Sequence, residues 1–210
     1  VAASRTGRKG FAPNWKLALG AMMLSTASGG FIFGAMTFVV PRYFEISMTS
    51  ISTSVAITGL LASLVYATAS FSQIGVGWLI DRFSPKWVLF SLGLGQILFI
   101  FLAAQYTDYV LFFAMLVAMS FVFGQIPITD TILSRYVPDE WRAKALSVKF
   151  MLNLTIGATV LPICGVILQS GSPMSSLFTL MSAVAIVVAL SGLMLPQQAD
   201  DQRRDMMPAE

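Results

Sequence analysis

The chain has 210 residues, of which 56% are hydrophobic and 11% are charged, and its mean hydropathy is +0.78. Soluble domains carry about 25% charged residues, so the composition excludes an ordinary soluble domain and predicts an integral membrane protein. One cysteine, Cys164, and no histidine leave no disulfide framework, histidine-based catalysis or zinc site, and we expect no cofactor. The basic residues form no patch interleaved with aromatic residues, which argues against a nucleic-acid partner.

Six membrane-spanning helices are predicted from the runs of uncharged residues. Residues 1–16 are polar and basic and are expected to form a cytoplasmic leader or linker against anionic headgroups. The runs that follow each hold the roughly 20 apolar residues that a span needs, and Ser170–Pro173 divides the last run in two. The predicted transmembrane domain covers residues 17–196, the polar cytoplasmic tail covers 197–210, and the helices are 17–40, 54–80, 87–106, 109–134, 143–169 and 174–195.

The distribution of lysine and arginine predicts the orientation. Of the thirteen basic residues, only Arg42 falls on one side of the predicted spans. The other twelve fall on the opposite side: Arg5, Arg8, Lys9, Lys16, Arg82, Lys86, Arg135, Arg142, Lys144, Lys149, Arg203 and Arg204. Because basic loops stay in the cytoplasm, both termini are predicted to be cytoplasmic.

The short loop between the second and third helices carries a recognisable pattern. Its residues are Gly77, Leu79, Asp81, Arg82, Lys86 and Leu89, at fixed spacing. This pattern resembles the signature loop of the major facilitator superfamily, G-x-L-x-D-R-x-G-R-K-x-x-L, at those six positions. Ser84 replaces the usual glycine and Pro85 a usual basic residue.

A second loop, between the fourth and fifth helices, resembles the corresponding loop of the same superfamily. Its pattern is Pro138-x-x-x-Arg142-Ala143-x-Ala145-Leu146. The resemblance extends from about residue 14 to 196 and implies an all-α half bundle, a 3+3 inverted repeat that is half of a twelve-helix transporter. The basic lead-in and the short charged tail favour the C-terminal half. An N-terminal half stays open, because the signature loop occurs in both halves.

The resemblance implies a conformational role for the two loops. Asp81 is expected to face the start of the fifth helix, near Arg142–Ala145, where backbone N–H groups and the helix dipole favour an anion. Arg82 and Arg135 are expected to complete a charge cluster with Asp130 or Asp139. The alternative is that these charges only set the topology at headgroup level. The predicted signature residues are Gly77, Asp81, Arg82, Lys86, Arg135, Pro138 and Arg142.

A solute in this architecture is expected near the midplane, between the two halves. The alternative for every candidate is an interhelical hydrogen bond without solute contact. Asp130 is a candidate proton carrier, although its closeness to Arg135 favours a structural ion pair, and Lys149 lies at a similar depth. The candidate solute-lining residues are Thr26, Ser28, Tyr66, Gln73, Gln125, Asn153 and Thr155.

The sequence therefore predicts transport of a small solute across the inner (plasma) membrane by alternating access. The implied partners are the lipid bilayer, the solute and a second six-helix half in the same polypeptide or another chain. The alternative is a half-size scaffold or assembly subunit that binds a partner complex without transport. An enzyme is not predicted, because the sequence shows no nucleophile–base pair, metal cluster or phosphate loop.

Overall fold

The described part of the chain, residues 14–196 of a computed structural model, consists of six helices and contains no strand. All six are long and apolar enough to cross a membrane. This confirms the predicted all-α membrane fold. The helices are α1 (Trp15–Ser47), α2 (Val55–Arg82), α3 (Pro85–Gln105), α4 (Asp108–Tyr136), α5 (Asp139–Gln169) and α6 (Ser175–Met194).

Two helices are longer than the apolar runs indicate. α1 continues through Pro41 to Ser47, so that its 33 residues span about 50 Å, well beyond a hydrocarbon core of about 30 Å. Its last turns carry an Arg42–Glu45 ion pair of 2.6 Å, as expected outside the hydrocarbon. α5 begins at Asp139 rather than at residue 143, because Pro138 occupies the N-cap and two acidic residues suit the positive helix end.

The predicted leader and tail lie mostly outside the described residues. Residues 1–13 and 197–210 are not described. Of the predicted leader, Trp15 and Lys16 belong to the first turn of α1.

α3 and α6 form the most extensively packed pair, and they run antiparallel. A Cβ on Gly93 of α3 would lie 2.6 Å from the Ala189 backbone, and a Cβ on Gly192 of α6 would lie 2.8 Å from the Phe90 nitrogen. The two helices therefore approach backbone to backbone, as small residues allow in membranes. The Ser182 hydroxyl donates a hydrogen bond of 2.8 Å to the carbonyl of Ile97 across the same interface.

α1 and α4 lie at the centre of the bundle, whereas α2 and α5 lie at its edge. α1 packs on α2, α4, α5 and α6, and α4 packs on α1, α2, α3 and, to a small extent, α5. In the most apolar stretch of each helix, 22% of the residues of α2 and 11% of those of α5 are buried, against 44–50% in the other four. Two of the six helices therefore present largely uncovered apolar surfaces.

The close approach of α3 and α6 can be tested with one added methyl group. Gly93→Ala forces that methyl into the Ala189 backbone, and we expect it to lower stability by about 1–3 kcal/mol, the usual cost of overpacking. Thermal unfolding in detergent provides the measurement.

Gly20→Ala is the matched control, because no atom of the described residues outside its own stretch of helix lies within 4 Å of the added Cβ. The gain in helix propensity should leave that variant as stable as the parent or more stable by up to about 1 kcal/mol. Equal stability of the two variants would contradict the proposed helix contact.

Candidate functional site

A cavity of about 200 Å³ opens between α1, α4 and α5, on the side of the bundle where α5 is poorly covered. Three of the predicted solute-lining residues lie in its wall, namely Thr26 on α1, Gln125 on α4 and Asn153 on α5. Among residues 14–196, those that line the cavity are Thr26, Gly29, Gly30, Phe33, Val122, Gln125, Ile126, Thr129, Lys149, Phe150 and Asn153.

Gln125 lines the cavity but is engaged in a buried hydrogen-bond network. Its Nε2 donates to the carbonyl and the hydroxyl of Ser25, at 2.8 and 2.7 Å. Its Oε1 accepts a hydrogen bond of 3.1 Å from Nε2 of Gln96 on α3. Three helices are thus joined through one amide, which supports the interhelical role for Gln125 more strongly than direct solute contact. Gln96 was not among the predicted residues, although an amide within a long apolar helix is a signal for such a network.

Two adjacent glycines make room for these amides. A Cβ on Gly29 would lie 2.5 Å from Nε2 of Gln125, so the amide can cross α1 only because no side chain stands there. A Cβ on Gly30 would clash with the side-chain oxygen of Asn153. α1 therefore comes close to both α4 and α5 at the level of the cavity.

Lys149 brings a buried charge to one end of the cavity. The residue is 8% exposed, and its Nζ donates to the Thr129 hydroxyl at 2.8 Å and to the Asp130 carboxylate. Asp130 therefore pairs with Lys149 across α4 and α5, not with Arg135 as its sequence position suggested. Residues five positions apart on an α-helix differ by about 140° around its axis, so Arg135 points away from Asp130.

The other four candidate solute-lining residues lie outside this cavity. Ser28 is buried, Gln73 is half-buried and Thr155 is exposed. The Tyr66 hydroxyl contacts the carbonyls of Met36 and Thr37 at 3.3 and 3.4 Å. Pro41 has no N–H to bond the Thr37 carbonyl, so Tyr66 compensates for the proline in α1.

The signature residues of the first loop are not joined to α5 in this conformation. Asp81 is exposed and, within residues 14–196, accepts no hydrogen bond from the start of α5. Arg82 lies over the Trp78 ring at 4.1 Å, and Lys86 is half-buried in the first turn of α3. No atom lies within 4 Å of a Cβ built on Gly77, so the space left by this glycine is not filled within the described residues.

The arginines near the second loop bind helix ends. Arg135 donates to the carbonyl of Ile80 in the last turn of α2, at 3.4 Å. Arg142 donates to the carbonyl of Ser134 in the last turn of α4, at 2.9 Å, and pairs with Asp139 at 2.8 Å. Cations at carbonyl ends are favourable, so these contacts hold the ends of α2, α4 and α5 on one side of the bundle. The charged residues of the predicted cluster therefore make separate contacts in this conformation instead of joining one cluster.

The fold and the cavity define a membrane-embedded helical half bundle with a laterally open, mostly apolar pocket that carries a few polar groups. The family model of the Major Facilitator Superfamily matches residues 17–205. The chain therefore belongs to the major facilitator superfamily, a family of membrane transporters, and this confirms the resemblance inferred from the two loops.

Solved structures of FucP, one of them described as the fucose:proton symporter of E. coli, contain the fold of this chain in part of their length. One has a TM-score of 0.67 and 16% identity, over 89% of this chain and 44% of FucP. The second, in the outward conformation, has a TM-score of 0.67 and 16% identity, over 88% of this chain and 43% of that one. The chain thus spans less than half the length of these transporters. Comparison with curated protein sequences finds no match.

The Gln125 network can be tested by removing its central amide. Gln125→Leu leaves Ser25 and Gln96 without their partner, and we expect a loss of about 0.6–2 kcal/mol of stability, the range found for interhelical hydrogen bonds in membranes. Gln73→Leu on α2 is the control, because no hydrogen bond joins that amide to another described residue. Thermal unfolding of the two variants should differ, and an equal effect would show that the network adds nothing specific.

Proposed function

We propose that this chain forms the C-terminal six-helix half of a secondary transporter that moves a small solute by alternating access. The observation that carries the proposal is the cavity, because it places the polar groups of Lys149, Gln125 and Asn153 on the poorly covered side of a half bundle of transporter fold. A solute site in that position is completed only when a second bundle closes over it.

The uncovered surfaces of α2 and α5 support the need for a second half. Leu64 and Phe71 of α2 are 51% and 71% exposed, and Met151 and Leu154 of α5 are 68% and 73% exposed. Lipid tails can cover such side chains, but they offer no hydrogen-bonding group to the cavity residues Lys149 and Asn153. The proposed partner is a second six-helix bundle of the same polypeptide or another chain.

The proposed location is the inner (plasma) membrane, with both chain termini in the cytoplasm. The support is the twelve-to-one distribution of basic residues, which follows the positive-inside pattern. In this orientation Lys149 and Asp130 lie toward the cytoplasmic ends of α5 and α4, and Phe33 and Val122 lie deeper in the membrane.

Asp81 is proposed to act as a latch between two conformations. In the present conformation its carboxylate is exposed, while the first turn of α5 is tied to the end of α4 by the hydrogen bond from Arg142 to the Ser134 carbonyl. In the alternate conformation Asp81 is proposed to accept N–H groups at that helix end, which would hold the cytoplasmic ends of α2 and α5 together.

Alternating access can be tested without knowing the solute. In the full-length gene product, freed of other cysteines, Phe150→Cys places a thiol on the cavity wall. We expect a membrane-impermeant maleimide to label it from both sides of the membrane, in intact cells and in inverted vesicles. Labelling from only one side under all conditions would contradict alternating access and favour a scaffold without transport.

The latch can be tested by neutralising Asp81. We expect Asp81→Asn to insert normally into the membrane but to shift the ratio of inside to outside labelling at Phe150→Cys and to abolish transport by the full-length protein. Glu45→Gln, the same chemical change at the opposite end of the bundle, should leave the ratio unchanged. An unaltered labelling ratio and unchanged solute uptake in reconstituted vesicles after Asp81→Asn would contradict the latch.

A further inference from the structure

The charge that faces the cavity is positive. Among the described residues that line it, Lys149 alone is charged. Its partner Asp130 does not line the cavity, and the Asp130 side chain is 52% exposed, against 10% for that of Lys149. The ion pair thus places the cation inward and the carboxylate at the margin.

Two polar groups in the wall retain unused hydrogen-bonding capacity. A lysine ammonium has three donors, and Lys149 uses two of them, to Thr129 and Asp130. Thr26 lines the cavity and is 6% exposed, and its hydroxyl oxygen, buried just behind the wall, has no hydrogen-bond partner among the described residues. A buried polar group without a partner is costly, so a ligand that supplies an acceptor relieves this cost.

The opposite end of the cavity is apolar. Phe33 lies two helical turns, about 10 Å, beyond Thr26 along α1, and Val122 lies at the corresponding depth on α4. The volume of about 200 Å³ is smaller than the pockets of about 300–1,000 Å³ that hold drug-sized ligands. The cavity therefore suits a small molecule with one polar end and one apolar end.

We propose that the cavity binds a small organic anion, with its carboxylate at Lys149 and Thr26 and its apolar body against Phe33 and Val122. This inference rests on the proposed transport function, because it names the class of solute. In the empty site Asp130 is the counter-ion of Lys149, which avoids a buried unpaired charge. When the anion binds, its carboxylate takes the third donor of Lys149 and competes with Asp130 for the ammonium group.

The experiment measures binding, so it does not depend on transport. The full-length gene product in nanodiscs of uncharged phosphatidylcholine is titrated with para-fluorobenzoate, its neutral amide para-fluorobenzamide and the cation para-fluorobenzylamine, followed by fluorine NMR. We expect the benzoate to bind about tenfold or more tightly than the amide, as is typical when one partner of a hydrogen bond carries a charge.

Opposite effects of two neutralising variants provide the decisive comparison. Lys149→Gln should raise the Kd for benzoate about tenfold or more, whereas Asp130→Asn should lower it, because the competing carboxylate is removed. Lys144→Gln is the matched control. Lys144 is exposed on the same helix over the Trp141 ring, at 4.3 Å, and its loss should leave the Kd unchanged.

Several results would overturn the anion site. They are equal binding of benzoate and benzamide, preferred binding of the benzylamine, weaker benzoate binding after Asp130→Asn, an unchanged Kd after Lys149→Gln, or no binding of any probe. Two-sided labelling of Phe150→Cys together with any of these results would leave the transport proposal standing and reject only the anion. One-sided labelling together with benzoate binding as expected would reject the transport proposal and leave the anion site standing.

Discussion

The hydrocarbon interior of the membrane is the constraint on which the rest of this structure depends. Within it, backbone groups must be satisfied by helices, and polar side chains must face the protein interior or a water-filled cavity. Gln125 meets this requirement by bonding both Ser25 and Gln96 in the interior of the bundle. Lys149 meets it by pairing with Asp130 at the wall of the cavity. The buried polar residues therefore mark both the joints of the bundle and its functional side.

The same constraint explains why some of the six helices pack tightly while others line the cavity. α3 and α6 pack through glycine and serine contacts that bring their backbones together, and they carry none of the residues that line the cavity. α1, α4 and α5 meet through Gly29, Gly30 and the amides opposite them, which leaves a pocket between them. The firmly packed pair thus serves as support, while the loosely covered α5 holds Lys149 and Asn153 at the open side.

The class of fold could be predicted from the sequence because uncharged, apolar runs of about 20 residues are typical of membrane spans. The family could be predicted as well, since two loops matched at the expected places. The side of each helix that faces the protein interior could not be predicted from the sequence. Helices that are apolar all round carry no periodic signal that distinguishes lipid from protein, so Thr26 and Thr155 looked equivalent, yet only Thr26 lines the cavity. Helix ends were misplaced where a helix leaves the hydrocarbon, as α1 does beyond Pro41.

The pairing of Asp130 shows why contacts between helices are harder to predict than helices. Sequence proximity suggested Arg135, but the partner is Lys149, nineteen positions away on α5. Once α4 and α5 are known to approach each other at this depth, the pair is physically reasonable, because it joins opposite charges on the two helices. The information lies in the packing of α4 against α5, which no local pattern contains.

The central claim is that a second six-helix bundle covers α5 and closes the cavity. The most direct measurement places a benzophenone photo-crosslinker at Leu154, one turn from the cavity-lining Phe150, in the full-length gene product in its native membrane. The control position is Leu98 on α3, which is 53% exposed on a helix that does not line the cavity. We expect Leu154 to cross-link to protein, in a region outside this bundle or in another chain, and Leu98 to give lipid adducts. Lipid adducts alone at both positions would contradict the claim.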